Sequence, residues 1–248
     1  MMKTNLTISA WNVQGLGDKC RDETFLSDLK YDINILLETW KGADSNLNLP
    51  DYLTFQKCRE KKKRSKRFSG GIIVFFKAYL KNGITEMRNI SASENRLWFR
   101  LNKEFFGLKK DVYICACYIP PVNSTYFEDD FSNLENEITS IPQNTNILIL
   151  GDLNARTGEK TDFIENEGST HEQLYTILPD NYTEDTNYNR NSCDKICNTQ
   201  GQNLIDLCIA SQLRILNGRF IGDILGNFTC HKSYGASVVD YALADMDL

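Results

Sequence analysis

No run of about 18 consecutive apolar residues occurs in this sequence, so a membrane-spanning helix and a membrane partner are excluded. There is no Gly/Ser-rich or Pro-rich stretch to act as a linker, and no segment repeats another. One domain over residues 1–248 is expected, a length sufficient for a single large core. No secretory leader is expected: a polar start passes directly into the alternating run Leu6-Thr7-Ile8-Ser9-Ala10-Trp11. The eight cysteines are too few to staple a chain this long. Cys115 and Cys117 alternate in one apolar run and share a face, as packed thiols do. Cys193 and Cys197 have no second pair or histidine nearby in sequence, which disfavours zinc. The expectation is a reduced, intracellular protein, in which the sequons at Asn5, Asn89, Asn123, Asn181 and Asn227 carry little meaning.

What is present is an ordinary globular composition, 41% hydrophobic and 25% charged, with charge unevenly spread. Lys57 to Arg67 holds eight basic residues and one acid, Glu60, a local +7. The overall charge is −5, so the remainder carries about −12. Asp162 to Asp185 contains Asp162, Glu165, Glu167, Glu172, Asp180, Glu184 and Asp185 with no lysine or arginine. The basic run is either a solvated loop or a contact for the phosphate backbone of a nucleic acid, where lysine and arginine release counterions.

Short apolar, β-branched or aromatic runs read as strands: Leu6–Trp11, Ile33–Leu37, Gly71–Phe76, Leu97–Leu101, Val112–Ile119, Ile147–Leu150, Arg214–Leu216, Phe228–Cys230 and Val238–Leu243. Helical stretches are expected at Thr24–Lys30, at Phe127–Ser140 before Pro142, and at Gln200–Gln212, where Leu204, Leu207 and Cys208 share a face. Many strands with few helices predict an α/β protein in which two sheets pack face to face with helices outside. The polar segment from Gly158 to Asn198 reads as a long, irregular surface excursion.

Four strands end in groups that can do chemistry: Asn12, Glu38, Tyr118, and Gly151-Asp152-Leu153-Asn154. Each alone is weak. A carboxylate after a strand is most often a turn or an N-cap, an asparagine there is usually a turn residue, and a tyrosine usually packs. Asp240 differs, because Val238, Val239, Tyr241 and Ala242 surround it; a buried carboxylate must be paired or functional.

Together, six pieces in order resemble the endonuclease/exonuclease/phosphatase superfamily. They are Trp11-Asn12-Val13-Gln14-Gly15, Leu37-Glu38-Thr39-Trp40, Gly70-Gly71-Ile72-Ile73-Val74, Cys117-Tyr118-Ile119-Pro120-Pro121, Gly151-Asp152-Leu153-Asn154-Ala155 and Ser237-Val238-Val239-Asp240-Tyr241. A downstream block narrows the resemblance to the endonuclease domain of non-LTR (LINE-type) retrotransposons: Asn198, Gly201, Leu204-Ile205-Asp206-Leu207-Cys208, Ile215-Leu216-Asn217-Gly218-Arg219, Gly222-Asp223, Gly226-Asn227-Phe228-Thr229 and Ser237. The resemblance implies a four-layered α/β sandwich of two mainly antiparallel sheets, DNase I-like. It also implies a Mg²⁺ (or Mn²⁺) cofactor, a DNA partner, and a reverse transcriptase domain in the full-length element. The activity implied is nicking of DNA for target-primed reverse transcription, nuclear if the target is chromosomal.

By the same resemblance, Glu38 is the main metal ligand, with Asn12 orienting a ligand or a phosphate oxygen. Asp152 positions or deprotonates the attacking water, and Asn154 and Tyr118 hydrogen-bond the phosphate. Thr229 and Ser237 lie near the site as backbone or phosphate contacts. Lys61, Lys62, Lys63 and Arg64 add nonspecific DNA affinity.

Two departures qualify this. In the family the acid matching Asp240 orients a histidine of a later Ser-Asp-His strand, which is absent here; the only histidines are His171 and His231, in other contexts. The expectation is a C-terminally truncated domain lacking its last strand, with little or no nuclease activity by itself. Gln14 stands where some relatives carry a metal-holding acid. Alternatives are another phosphoesterase of the superfamily, acting on phosphoinositide, sphingomyelin or RNA, and a remnant that only binds nucleic acid.

Overall fold

The computed structural model describes residues 5–42, 48–61, 67–164, 189–233, 235–246 and 248. Its first sheet has the order β1-β2-β4-β3, from Ile8–Asn12 (β1), Ile33–Leu37 (β2), Tyr52–Lys57 (β3) and Ile72–Lys77 (β4). Its second sheet has the order β5-β6-β7-β8-β12-β9. These strands are Ile84–Glu86 (β5), Arg96–Leu101 (β6), Asp111–Tyr118 (β7), Thr145–Asp152 (β8), Arg214–Ile215 (β9) and Asp240–Ala244 (β12). Between β9 and β12, Cys230–Lys232 (β10) and Gly235–Ser237 (β11) form a separate hairpin. Each large sheet contains one parallel pair, β1 with β2 and β7 with β8, and is otherwise antiparallel.

The two sheets meet through Ile33, Ile35, Leu37, Val74 and Phe76 on one side and Leu97, Phe99, Ile114 and Ala116 on the other. Consecutive residues of β2 and β7 are buried on both faces, which is why these strands read as unbroken apolar runs. Helix α1, Glu23–Asp28, lays Phe25 on Leu36, Ile73 and Phe75, the outer face of the first sheet. Asp22 caps it by accepting from Thr24 N at 2.9 Å. A short helix, Lys103–Phe106 (α2), follows β6. The outer face of the second sheet is covered by α3, Asp130–Thr139, through Phe131, Leu134 and Ile138, and by α4, Thr199–Ser211, through Leu204, Ile205, Leu207 and Cys208. Cys115 and Cys117 are packed thiols in that layer. The order helix, sheet, sheet, helix agrees with the expected sandwich.

Several expectations need correction. Tyr52–Lys57, Ile84–Glu86, Gly235–Ser237 and Lys103–Phe106 were not anticipated as elements. Helix α3 begins at Asp130 rather than Phe127, and α1 stops at Asp28. The expected surface excursion is exposed at Glu159 to Thr161 and at Lys195 and Ile196, but it also turns residues inward at both described ends. Asp162 and Phe163 are buried, and Asp162 accepts Arg219 Nη2 at 2.5 Å, Arg219 Nη1 at 2.7 Å and Ile215 N at 2.6 Å. Arg190 and Asp194 are buried as well, so these flanks brace the β9 end of the sheet. Residues 165–188, including His171, lie outside the described residues. Among the described residues no helix is long and apolar enough to cross a membrane.

Candidate active site

The topology brings the chemistry to one end of the sandwich. Strands β1 and β2 run parallel, as do β7 and β8, so each pair delivers two C-termini together. Strand β12 runs antiparallel to β8, so its first residue arrives at that same end. Asn12 closes β1, Glu38 follows β2, Tyr118 closes β7, Asp152 closes β8 and Asp240 opens β12.

Asn12 joins the two sheets. Its Nδ2 donates to Glu38 Oε1 at 2.9 Å and to Asp152 Oδ2 at 2.8 Å, while its Oδ1 accepts Gln14 N at 3.0 Å. The second Glu38 oxygen accepts Trp40 Nε1 at 3.2 Å, and the Tyr118 hydroxyl lies close enough to the same carboxylate to feel its charge. Asp152 Oδ1 accepts the backbone N–H of Asn154 at 3.0 Å, a turn contact as well as a site contact. Asn154 Nδ2 donates one of its two N–H groups to Ile119 O at 2.9 Å, which leaves the second for another acceptor. Glu38 (φ 51°), Trp40 (φ 53°), Gln14 (φ 46°) and Asn154 (φ 46°) all sit in the left-handed region, a concentration of backbone strain typical of functional sites. Gly151, at φ 152°, has its own reason: a Cβ there would lie 1.8 Å from the Cys117 carbonyl oxygen.

The site carries uncompensated negative charge. Burial pushes the Asp152 carboxyl up to about 7, and the charges of Asp240 and Glu38 add to the rise against the hydrogen bonds from Asn12 and Asn154. Burial also pushes Asp240 up, the Thr229 hydroxyl pulls it back, and Glu38 raises it. Burial, then the charge and hydrogen bond of Glu38, hold the Tyr118 hydroxyl protonated far above the usual tyrosine range. Among the described residues no lysine or arginine forms an ion pair with Glu38, Asp152 or Asp240. No group of three or more His, Cys, Asp or Glu among them is gathered tightly enough to hold a metal by itself. One carboxylate with one amide is a donor set that a hard cation keeping most of its waters could use. Glu38 and Asn12 fit that role.

The remaining sequence candidates divide. Thr229 Oγ1 accepts Val239 N and Asp240 N, both at 3.1 Å, so this hydroxyl positions Asp240. Ser237 lies on β11, and its carbonyl accepts Thr229 N at 3.1 Å. Lys61 is exposed, with Nζ 5.6 Å from the Phe68 ring. Lys62, Lys63 and Arg64 lie outside the described residues. His231 is exposed on β10, packing edge-on against Phe228. Three contributors had not been singled out. Trp40 holds Glu38. Asn217 donates to the Asp240 carbonyl at 3.2 Å and accepts Ala242 N at 3.0 Å. Arg59 stacks on Tyr118. Trp40 and Asn217 lay inside quoted motifs, whereas Arg59 was concealed by the charge run around it.

Two facing mixed sheets with helices on both outer faces and a polar, acidic site at their common end define a DNase I-like α/β sandwich. A family model described as endonuclease-reverse transcriptase matches residues 112–219. The catalytic domain of Xenopus laevis APE2 superposes with a TM-score of 0.61 over 98% of this chain and 83% of that one, at 16% identity. A 3′-5′ exonuclease (NExo) from Neisseria meningitidis gives 0.56 over 97% and 87%, at 14% identity. An AP endonuclease from Archaeoglobus fulgidus gives 0.56 over 98% and 88%, at 11% identity. No curated protein matches the chain by sequence. The chain thus shares the fold of these nucleases, and its residues 112–219 match the endonuclease-reverse transcriptase family model.

Proposed function

We propose that this chain is a divalent-metal-dependent phosphodiester hydrolase that nicks DNA, with Mg²⁺ or Mn²⁺ as cofactor. The observation that carries this reading is the Asn12 side chain, which ties the Glu38 carboxylate of one sheet to the Asp152 carboxylate of the other. A bound cation would supply Lewis-acid charge neutralisation at the phosphoryl oxygens. Glu38 and Asn12 would hold it. Asp152, held on the far side of the Asn12 amide, is placed to take a proton from an attacking water. Asn154 and the protonated Tyr118 hydroxyl are placed to meet charge developing on the phosphate. Asp240, fixed by Thr229 and Asn217, completes the wall.

DNA as substrate, rather than a lipid or RNA phosphodiester, is supported by the endonuclease-reverse transcriptase match over residues 112–219 and by the basic run that follows β3. The same match supports target-primed reverse transcription as the setting, with a reverse transcriptase as partner; the place of action is the nucleus if the target is chromosomal. Among the described residues no histidine neighbours Asp240 in β12, so nicking by these 248 residues alone is expected to be slow, about 10²–10³-fold below a site with that added donor.

The test is conversion of supercoiled plasmid to open circle with and without Mg²⁺. Slow, metal-dependent nicking abolished by Glu38→Ala supports the reading. Salt-sensitive DNA binding with no metal-dependent cleavage would assign a binding-only role instead.

A further inference from the structure

One member of the basic run does not behave as a solvated cation. Arg59 is 5% exposed. Its guanidinium stacks over the Tyr126 ring at 4.5 Å and over the Tyr118 ring at 5.4 Å. Its Nε donates to Asn95 Oδ1 at 3.0 Å, and Nη2 donates to the same oxygen. Asn95 is itself tied to Tyr118, because its carbonyl accepts the Tyr118 backbone N–H at 2.9 Å. Gly70 leaves the space that this requires: a Cβ there would lie 2.6 Å from the guanidinium carbon. Among the described residues no carboxylate pairs with Arg59.

Burying a cation without a counter-charge is costly, so the rings and the amide must hold this one. A planar guanidinium suits such a slot, since it can stack and donate in one plane at once. The held ring is that of Tyr118, which closes β7 at the end where Glu38 follows β2, so its hydroxyl neighbours the Glu38 carboxylate. We infer that Arg59 is a positioning residue that clamps the Tyr118 ring, so that its hydroxyl stays beside Glu38 and faces the scissile phosphate. It is not one of the run's DNA-phosphate contacts. The inference rests on the phosphodiesterase reading above, and it sets Arg59 apart from the exposed Lys61 of the same run.

The experiment uses residues 1–248 with a nicked-product assay, DNA binding at several salt concentrations, and melting curves to establish that each variant is folded. Arg59→Ala and Arg59→Lys should each lower kcat roughly 10- to 100-fold, the scale of an ångström-level misplacement. Lysine does not rescue, because it keeps the charge but loses the plane. Binding and its salt slope should be unchanged. In a Tyr118→Phe background, where no hydroxyl remains to be positioned, Arg59→Ala should cost less than about threefold. Equal costs in the two backgrounds would overturn the inference. So would a salt slope lowered by about 0.9 with kcat unchanged, the mark of one lost phosphate contact. If the wild-type chain cleaves nothing, the phosphodiesterase reading fails, and exchange of the Tyr118 hydroxyl proton by NMR decides the clamp on its own. Faster exchange in Arg59→Lys supports it, and an unchanged rate overturns it.

Discussion

Asp240 stands directly across from Asp152 in the antiparallel β8–β12 pair. Like charges opposed in a sheet repel, and Asp152 is buried while Asp240 is half-buried. Nothing basic among the described residues offsets them, so the fold tolerates this site rather than gaining from it.

This makes stability without a cation depend on pH. The folded-state Asp152 carboxyl is raised to about 7, from about 3.9 for a free aspartate. Its contribution to stability is therefore complete below about pH 4 and is lost as pH rises to about 7. In EDTA, the Tm of the wild type should fall more steeply from pH 5 to pH 8 than that of Asp152→Asn, which acquires no charge. Differential scanning fluorimetry reads the gap, roughly 2–4 °C for each kcal/mol at this chain length. Parallel curves for the two proteins would contradict the argument. Added Mg²⁺ should close the gap in the wild type alone.

Glu38 occupies a left-handed backbone position, φ 51°, that glycine adopts freely and a β-branched residue resists. Glu38→Gly should abolish nicking while leaving the fold near wild-type stability. Glu38→Val should abolish nicking and also lower stability by about 1–2 kcal/mol relative to the glycine variant. Urea unfolding of the two variants side by side is the measurement, and equal midpoints would show that Glu38 carries no backbone strain.

The sequence shows the strands that close on chemistry because their apolar runs stop abruptly at polar residues, as Ile33–Leu37 does before Glu38. Strand Tyr52–Lys57 escapes such reading. It is an edge strand, with Leu53 and Phe55 turned to the core and Thr54 and Gln56 polar, so its composition resembles a loop. Arg59 escapes for another reason. Its burial depends on Tyr118, Tyr126 and Asn95, which are remote in sequence, and no local pattern within Lys57–Arg67 encodes that. Asp162 likewise reads as the start of an acidic stretch until Arg219 folds against it.

That Asp162–Arg219 pair is wholly buried, with side-chain exposures of 0% and 1%. Asp162→Ala would remove the carboxylate that pairs with the buried guanidinium and free Ile215 N, losing about 3–5 kcal/mol. A matched hydrophobic replacement of both partners, Asp162→Leu with Arg219→Met, should recover most of that loss. Chemical denaturation of the single and double variants tests this. A single variant as stable as wild type would show that the pair does not brace the sheet end.

Gly151 gives the sharpest stability prediction, because its constraint is backbone against backbone. The residue sits at φ 152°, and a methyl group would meet the Cys117 carbonyl oxygen of the neighbouring parallel strand at 1.8 Å. No side-chain rotation can relieve such a clash, so β7 and β8 would have to part at the end that presents Tyr118 and Asp152. Gly151→Ala should cost more than about 4 kcal/mol, in the range reserved for backbone strain and core overpacking. Soluble yield and the thermal transition would register it. Ala155, buried three residues beyond Asp152, has no such constraint on its backbone, so Ala155→Gly should cost only about 1 kcal/mol through lost packing and added chain entropy. Equal Tm values for Gly151→Ala and wild type would mean that the strands can separate freely, and the alignment of Tyr118 with Asp152 could not then depend on that contact.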